Sequence, residues 1–407
     1  MIRITEYTGQ PIEELLVRSQ ETRRDVNATV AEILAQVKAR GDEAVLDYCE
    51  RFDGSRPEAL LVTRAELDAA LESVDPALLD TMRLAARNIE RFHLQQKRTG
   101  FVDAREDGVI VGQRVLPLSS VGLYVPGGTA RYPSSVLMAA IPAKIAGVPR
   151  IVMTTPPDKQ GNVPAVILAA AAIAGVDTVV KLGGAQAIGA LAYGTASVPK
   201  VDKIVGPGNI YVATAKQQVR GLVDIDMTAG PSEILVIADG KSDPAYVAAD
   251  LLSQAEHDVL AAAWLVTDSA ALAEAVAAQV EAQLASLSRR EIARASIDSF
   301  GAIIVVPDLA IGAEVANQIA PEHLELCVDE PFGMLPLITN AGSVFLGRYT
   351  PEPLGDYLAG PNHTLPTSGT ARFSSPLGVD DFCRRTSYIY YTRAALSRVS
   401  ADVQRFA

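Results

Sequence analysis

Apolar residues along the first hundred positions recur at helical spacing. Between Arg23 and Arg40 they fall at Val26, Val30, Ile33, Leu34 and Val37, the i, i+3, i+4, i+7 pattern of an amphipathic helix. Lys38 and Arg40 suit the negative end of its last turn, and Gly41-Asp42 supplies a stop. A second helix is predicted over Arg64–Val74 and a third from Pro76 to about Thr99. This region, through to about residue 120, reads as a helical scaffold. His93, inside the charged segment Glu90-Arg91-Phe92-His93-Leu94, reads as an ordinary surface or capping side chain.

From Val121 the period changes to strand, glycine-rich turn, helix. Ile151-Val152-Met153 precedes a helix near Val163–Ala174, and Val179-Val180-Lys181-Leu182 precedes Gly183-Gly184 and another. Val201 to Val205 leads into Gly206-Pro207-Gly208 and a helix, and Leu222 to Met227 closes the series. After Gly230-Pro231 a second series follows, with strands predicted at Ile234–Ala238, Ala262–Val266, Ile303–Val306 and Leu324–Val328. Short apolar runs alternating with helices imply parallel strands covered on both faces. The expected fold is therefore α/β: two Rossmann-like doubly wound lobes with a crevice between them, plus small helical N-terminal and C-terminal segments. Ligands of such sheets usually sit where strands end. The expected division is an N-terminal arm over 1–20, a discontinuous first α/β domain over 21–123 and 233–375, an inserted α/β domain over 124–232, and a C-terminal segment over 376–407. From Gly347 to Gly378, five glycines and five prolines in 32 residues show no period. A stretch of that kind holding a histidine and an aspartate reads as a functional loop.

Charge narrows the function classes. Lys and Arg number 36 against 48 Asp and Glu, giving a net charge of -12. That argues against a nucleic-acid binder, which needs a basic face. Three cysteines (Cys49, Cys327, Cys383) with no CxxC pair read as reduced thiols, not a disulfide framework. The start of the chain has no signal-peptide core, and the longest uncharged apolar run, Val163 to Val176, has 14 residues where a span needs about 20. The expectation is a cytoplasmic protein with no membrane partner.

Three histidines stand beside a carboxylate or amide near an element end. Gln254 and His257, at i and i+3, share a helix face while Glu256 turns aside. They read either as a stabilised helix end or as a metal half-site. Pro321-Glu322-His323 reads either as a helix cap or as two general bases, one titrating near neutrality. Asp356, in Gly355-Asp356-Tyr357-Leu358-Ala359-Gly360-Pro361-Asn362-His363, reads as an Asx-turn residue or as a third ligand for zinc. The phosphate signals are weak. Gly206-Pro207-Gly208 lacks the third glycine of GxGxxG, since Tyr211 stands there. Gly184 to Gly189 has P-loop spacing without the following Lys-Ser/Thr. Tyr124-Val125-Pro126-Gly127-Gly128 is either a tight turn or a place where backbone nears a dinucleotide and the Tyr124 ring stacks on it.

In combination and in this order, these segments resemble the histidinol dehydrogenase family. The resemblance adds Gly122-Leu123 ahead of Tyr124, Gly183-Gly184-Ala185-Gln186-Ala187, Gly206-Pro207-Gly208-Asn209 and Ala229-Gly230-Pro231-Ser232-Glu233, and runs to about Tyr391. It implies that Tyr124, Gln186 and Asn209 contact NAD. It implies zinc ligands at Gln254, His257 and Asp356, one ion per subunit, and an acid–base pair at Glu322 and His323. Ser232, Gln254, His257, His323, Asp356 and His363 would bind substrate. The activity implied is oxidation of L-histidinol to L-histidine through the aldehyde, with two NAD⁺ and one water, in a cytoplasmic homodimer.

Family members usually continue with a segment bearing a glutamate and a histidine that reach the neighbouring subunit's site. Here no histidine follows His363. The C-terminal segment thus reads as truncated, and weakened zinc retention with low activity is expected. Three other readings remain open: a family relative oxidising another small polar alcohol, a zinc hydrolase without NAD, and a non-catalytic binding protein.

Overall fold

Runs of Val, Ile, Leu and Ala too short for helices lie in two parallel sheets whose inner strands are buried on both faces. The structure, a computed structural model, describes residues 2–12, 22–127, 132–227 and 230–407. The first sheet has five strands in the spatial order Thr178–Lys181, Ile151–Thr155, Val121–Tyr124, Lys203–Val205, Asp224–Ile225. The second has six, in the order Arg3–Glu6, Ala302–Val305, Ala262–Thr267, Glu233–Ala238, His323–Cys327, Ser343–Leu346. Setting aside the edge strand Arg3–Glu6, both sheets run 3-2-1-4-5 in their own chain order. Each therefore reverses direction once, between its first and fourth strands, which is where a doubly wound sheet opens a crevice. The expected α/β lobes are present.

Helices cover both faces. Thr22–Arg40 packs on Gly184–Tyr193, and Pro76–Leu94 packs on Pro133–Ala146. Both N-terminal helices share their apolar cores with the five-stranded sheet: Val30, Leu34 and Val37 with Ile188 and Leu191, and Met82, Ala85 and Ile89 with Val136 and Ile141. The P-loop spacing of Gly184 to Gly189 has a packing explanation. A Cβ at Gly189 would meet Leu34 at 3.1 Å and Val37 at 3.3 Å, so the glycine lets two helices approach closely.

The structure differs from the sequence reading in four places. Residues 101–117, expected within a helical scaffold, form an antiparallel hairpin of Phe101–Arg105 and Val109–Pro117, and Cys383–Tyr391 completes a three-stranded sheet with them. The C-terminal segment, expected to be helical, thus contributes a nine-residue strand before its helix Arg393–Phe406. A three-stranded sheet exposed on one side leaves only a weak apolar alternation, and its partner lies far off in the chain. The loop from Gly347 to Gly378 holds a helix, Glu352–Tyr357, begun by Pro351 and Pro353 near its first turn. Finally, Leu222 to Met227 shrinks to the two-residue strand Asp224–Ile225.

Candidate active site

The helix Leu309–Ile319 stops at Ala320, whose φ of 51° turns the chain back toward the six-stranded sheet. Pro321-Glu322 then feeds the strand His323–Cys327. Glu322 and His323 are therefore held at the amino end of an inner strand, His323 in register with Ile234 and Ser343. The backbone of Glu233 fixes both side chains. Its N–H donates to Glu322 Oε2 at 2.9 Å, and its carbonyl oxygen lies 3.0 Å from His323 Nδ1. With the Nδ1 proton committed to that carbonyl, the lone pair of neutral His323 sits on Nε2.

Nε2 faces the short helix Glu352–Tyr357. Asp356 Oδ1 lies 3.5 Å from it and Glu352 Oε1 3.9 Å. Those two acids stand at i and i+4, so one helix face delivers both. The N–H of Glu352 is anchored to Glu325 Oε1 at 2.8 Å. His323, Glu352 and Asp356 form the one group of His, Cys, Asp or Glu side chains among the described residues that converges tightly enough for a metal ion, with donor atoms within 4.8 Å of one another.

Gln254 and His257 arrive from the helix Pro244–Ala255, capped by Asp243 and started by Pro244. They share a side as the spacing predicts, His257 Nδ1 lying 3.3 Å from Gln254 Oε1. Gln254 is buried beside Glu352, and its Nε2 is without a hydrogen-bond partner. His323 Nε2 and Glu352 Oε1 are also buried and unpartnered. Three such atoms aimed into one space are costly unless something polar or charged satisfies them. Ser232 is half-buried at the entry to strand Glu233–Ala238, next to the residue that holds Glu322.

His363 Nδ1 lies 2.9 Å from the Asp356 carbonyl oxygen and 4.0 Å from its carboxylate. A cavity of about 110 Å³ opens here, walled by His323, Asp356 and His363 and by apolar Val344, Phe345 and Leu354. The loop bearing His363 is pinned from behind. Asn362 Nδ2 donates to the Met138 carbonyl at 2.7 Å and stands 3.4 Å from His93 Nε2, while Asn362 Oδ1 accepts the Thr364 N–H at 2.9 Å. His93 Nδ1 lies 2.8 Å from the Ile89 carbonyl. The expectation for His93 is thereby corrected: it is fully buried and braces this loop. Burial lowers its affinity for a proton, and a neutral ring with its proton on Nδ1 satisfies every one of these contacts.

Proton affinities in the cluster diverge. Burial raises Glu322 to about 7 and, with the nearby Asp356 charge, raises Glu352 to about 8. Burial works against a charge on His323, but Glu322, Asp356 and Glu352 outweigh it and push the ring to about 10. Asp356 is held below the usual carboxylate range: burial opposes this, and the His323 ring beside it and the field of His363 overcome it. Burial lowers His257 and His363. One site thus combines groups that keep protons with groups that shed them, the pattern expected of acid–base chemistry.

A second cluster lies on the five-stranded sheet. Tyr124 ends the strand Val121–Tyr124, and its hydroxyl accepts the Gly184 N–H at 3.1 Å. Its ring is buried against Gly208, where a Cβ would come within 3.1 Å of it, and is not an open stacking platform. Gln186, in the first turn of the helix Gly184–Tyr193, is buried with neither amide atom hydrogen-bonded. Asn209 caps the helix Ile210–Val219: its Oδ1 accepts the N–H groups of Tyr211 and Val212 at 3.1 and 3.2 Å, which leaves Nδ2 free to face outward. Gly127 and Gly183 both press on Pro156, where a Cβ would come within 2.2 and 2.5 Å. Gly128 and Ala229 lie outside the described residues. Tyr132, which begins the helix Pro133–Ala146, bridges to the first cluster by meeting the His257 ring at 6.4 Å between centroids.

The sequence reading thus singled out Glu322, His323, Gln254, His257, Asp356 and His363, and the structure brings them near one another. It missed Glu352, although its i, i+4 spacing from Asp356 was visible once a helix was allowed there. It also missed the backbone of Glu233, for which no side-chain motif exists.

The sequence model of a family described as Histidinol dehydrogenase matches residues 16–407. A histidinol dehydrogenase from Syntrophotalea carbinolica is 55% identical over 98% of this chain and 93% of its own length. One from Geobacter sulfurreducens is 52% identical over 100% of this chain and 95% of its own. The crystal structure of histidinol dehydrogenase from Elizabethkingia anophelis superposes with a TM-score of 0.95 at 37% identity, covering 100% of this chain and 94% of that one. A probable aldehyde dehydrogenase from Listeria monocytogenes, 12% identical over 93% of this chain and 94% of that one at a TM-score of 0.51, shares the fold alone.

Proposed function

The chain belongs to the histidinol dehydrogenase family, and we propose that it takes L-histidinol through the aldehyde to L-histidine with two NAD⁺ as hydride acceptors and a zinc ion anchoring the substrate. Membership favours an oxidoreductase of histidine biosynthesis over the hydrolase and binding-only readings. The observation that carries the reading is the convergence of Glu322, His323, Asp356, Gln254 and His257 beside one small cavity.

An alcohol gives up hydride as its proton leaves, so a base must stand at the hydroxyl. His323 Nε2 is that base, since Nδ1 is tied to the Glu233 carbonyl. The aldehyde must then be hydrated before a second hydride departs. Glu322, raised to about 7, can take the proton of that water near neutrality, and with Oε2 bound to the Glu233 N–H its other oxygen is left for the task. Glu352 holds a proton more firmly and serves as a hydrogen-bond partner.

Asp356 belongs to the group whose donor atoms lie close enough for a metal ion, and Gln254 and His257 stand beside it, a nitrogen and oxygen set that suits zinc. Gln254, His257 and Asp356 would hold it, where it supplies a fixed positive charge that grips the substrate and orients its reacting carbon. With Asp356 committed to a cation, fewer free carboxylates hold a proton on His323, and its ring returns toward the neutral form a base requires. The nicotinamide dinucleotide fits the second cluster, where glycine turns let backbone approach, Gln186 offers an unpaired amide and Asn209 an outward donor. NAD supplies the electron sink; Tyr124, Gln186 and Asn209 supply its place.

The five-stranded sheet, whose central strand begins at Val121, would form the nucleotide-binding unit together with the N-terminal helices packed on it, so that unit is not confined to the expected 124–232. Among the described residues no helix is long and apolar enough to cross a membrane, which agrees with a cytoplasmic enzyme. Exposed Phe101, Val102, Ile389, Tyr390 and Leu396 on the three-stranded sheet and the helix after it support a homodimer. The deciding experiment measures NADH formed per L-histidinol with and without zinc. Two NADH per substrate, lost on chelation and restored by zinc, is the expected result; no NADH under either condition would overturn the reading.

A further inference from the structure

The turn Gly206-Pro207-Gly208-Asn209 lacks the third glycine that normally packs a dinucleotide-binding helix against its strand. Something else fixes it. Gly206 has a φ of 115°, and a Cβ there would stand 2.1 Å from the Tyr124 carbonyl oxygen, so the turn touches the strand end beside it. Both backbone polar groups of Gly206 are held by charged side chains. Its N–H donates to Asp226 Oδ2 at 2.8 Å, and its carbonyl accepts from Lys216 Nζ at 2.9 Å. Lys216 and Asp226 are ion-paired with each other, their side chains only 2% and 1% exposed. Lys216 comes from the helix that Asn209 caps, and Asp226 follows the strand Asp224–Ile225. One buried pair thus ties the turn to the helix it starts and to the next strand.

Stability alone is a poor reason for such a pair, because apolar residues of similar volume often serve as well or better. What they cannot do is hydrogen-bond the N–H and C=O of a single glycine at once. We propose that Lys216 and Asp226 are positioning residues for the dinucleotide: they lock Gly206, and through it set the Asn209 amide and the Tyr124 strand end in place, without touching the cofactor. This rests on the reading that NAD binds at these turns. Two cofactor molecules must bind in succession during one turnover, so a turn that is already set spares the ordering cost twice.

The test measures NADH affinity directly, by the fluorescence of the bound nucleotide, beside zinc content and L-histidinol affinity. The double substitution Lys216→Met with Asp226→Leu removes the hydrogen bonds while leaving no unpaired charge. It is expected to fold, to weaken NADH binding about tenfold or more, and to leave zinc content and histidinol affinity within about twofold. Lys216→Arg, which keeps the pair, should restore affinity to within about threefold. Unchanged NADH affinity in the folded double variant overturns the inference, as does a parallel fall in histidinol affinity, which marks general scaffolding. Should the double variant not fold, Asp226→Asn decides on the same readouts. Gln186→Ala separates the inference from its premise. Normal NADH binding in that variant removes the nucleotide site itself, whereas lost binding there beside normal binding in the double variant removes only the role of the pair.

Discussion

The two sheets share one strand order but present opposite edges to their sites. In the five-stranded sheet, Tyr124 is the last residue of its strand, and Gln186 and Asn209 lie past the carboxyl ends of theirs, where helices begin. In the six-stranded sheet, Glu322 and His323 stand at the amino end of a strand, beside the finishing ends of the helices Pro244–Ala255 and Leu309–Ile319. The proposed nucleotide site lies where strands end, as expected of such sheets, whereas the proposed acid–base pair lies where a strand begins. The helix ends explain why both arrangements work. Helix starts present unpaired N–H groups and partial positive charge, which suit a pyrophosphate. Helix finishes present carbonyls and partial negative charge, which suit a cation and an ammonium-bearing substrate. The proposed cofactor site thus has a positive wall, and the proposed metal and substrate site a negative one.

If the two edges divide the labour this way, damage at one should spare the other. The largest effect is expected from His323→Asn, which removes the base. Turnover of histidinol should fall about a thousandfold, with NADH affinity unchanged by fluorescence titration. Next is Asp356→Asn, expected to weaken zinc affinity by at least about a hundredfold in a chelator competition while the dinucleotide still binds. Glu322→Gln should slow oxidation of added histidinaldehyde about a hundredfold and the first NADH much less. From the other edge, Asn209→Asp keeps the helix cap but loses the outward donor and places a negative charge near a dinucleotide. Its KM for NAD should rise about tenfold without change in histidinol affinity.

The smallest expected effect is a pH slope confined to the amino edge. Glu322 and Glu352, raised from 4.5 to about 7 and about 8, hold protons that the unfolded chain has already released. His323, raised from 6.5 to about 10, likewise keeps its proton longer when folded. In all three the folded state binds more protons, so stability falls as pH rises. The contribution of these three groups to the melting temperature of the metal-free protein should therefore decline from about pH 4.5 to about pH 10, and zinc should flatten that slope. A slope that zinc leaves untouched would place its origin outside this edge.

Much of this was legible in the chain. The parallel strands announced themselves as apolar runs between glycine turns, and Glu322, His323, Gln254, His257, Asp356 and His363 stood out because the chain has only four histidines and these three stand near a carboxylate or amide at an element end. What stayed hidden shares a physical cause. Which edge of a sheet faces a crevice depends on how two lobes dock, and no periodicity encodes that. Glu233 acts through its N–H and carbonyl, which every residue type carries. His93 looked superficial because its neighbours Glu90 and Arg91 are charged, yet it occupies the one helix face turned inward with Met82, Ala85 and Ile89. The hairpin over 101–117 needed a partner from residue 383 onward to be recognised as a strand pair at all.

The loop that presents His363 is closed by contacts spanning most of the polypeptide: Asn362 meets His93 across 269 positions and Met138 across 224. Contacts of such long range form late, since the entropy of closing so large a ring must be met before they reward it. During synthesis on the ribosome the five-stranded layer, complete by Ile225, can condense while this histidine is still unmade. Competence for chemistry is therefore among the last properties the nascent enzyme acquires, and a refolding experiment should show sheet and helix signals recovering ahead of turnover.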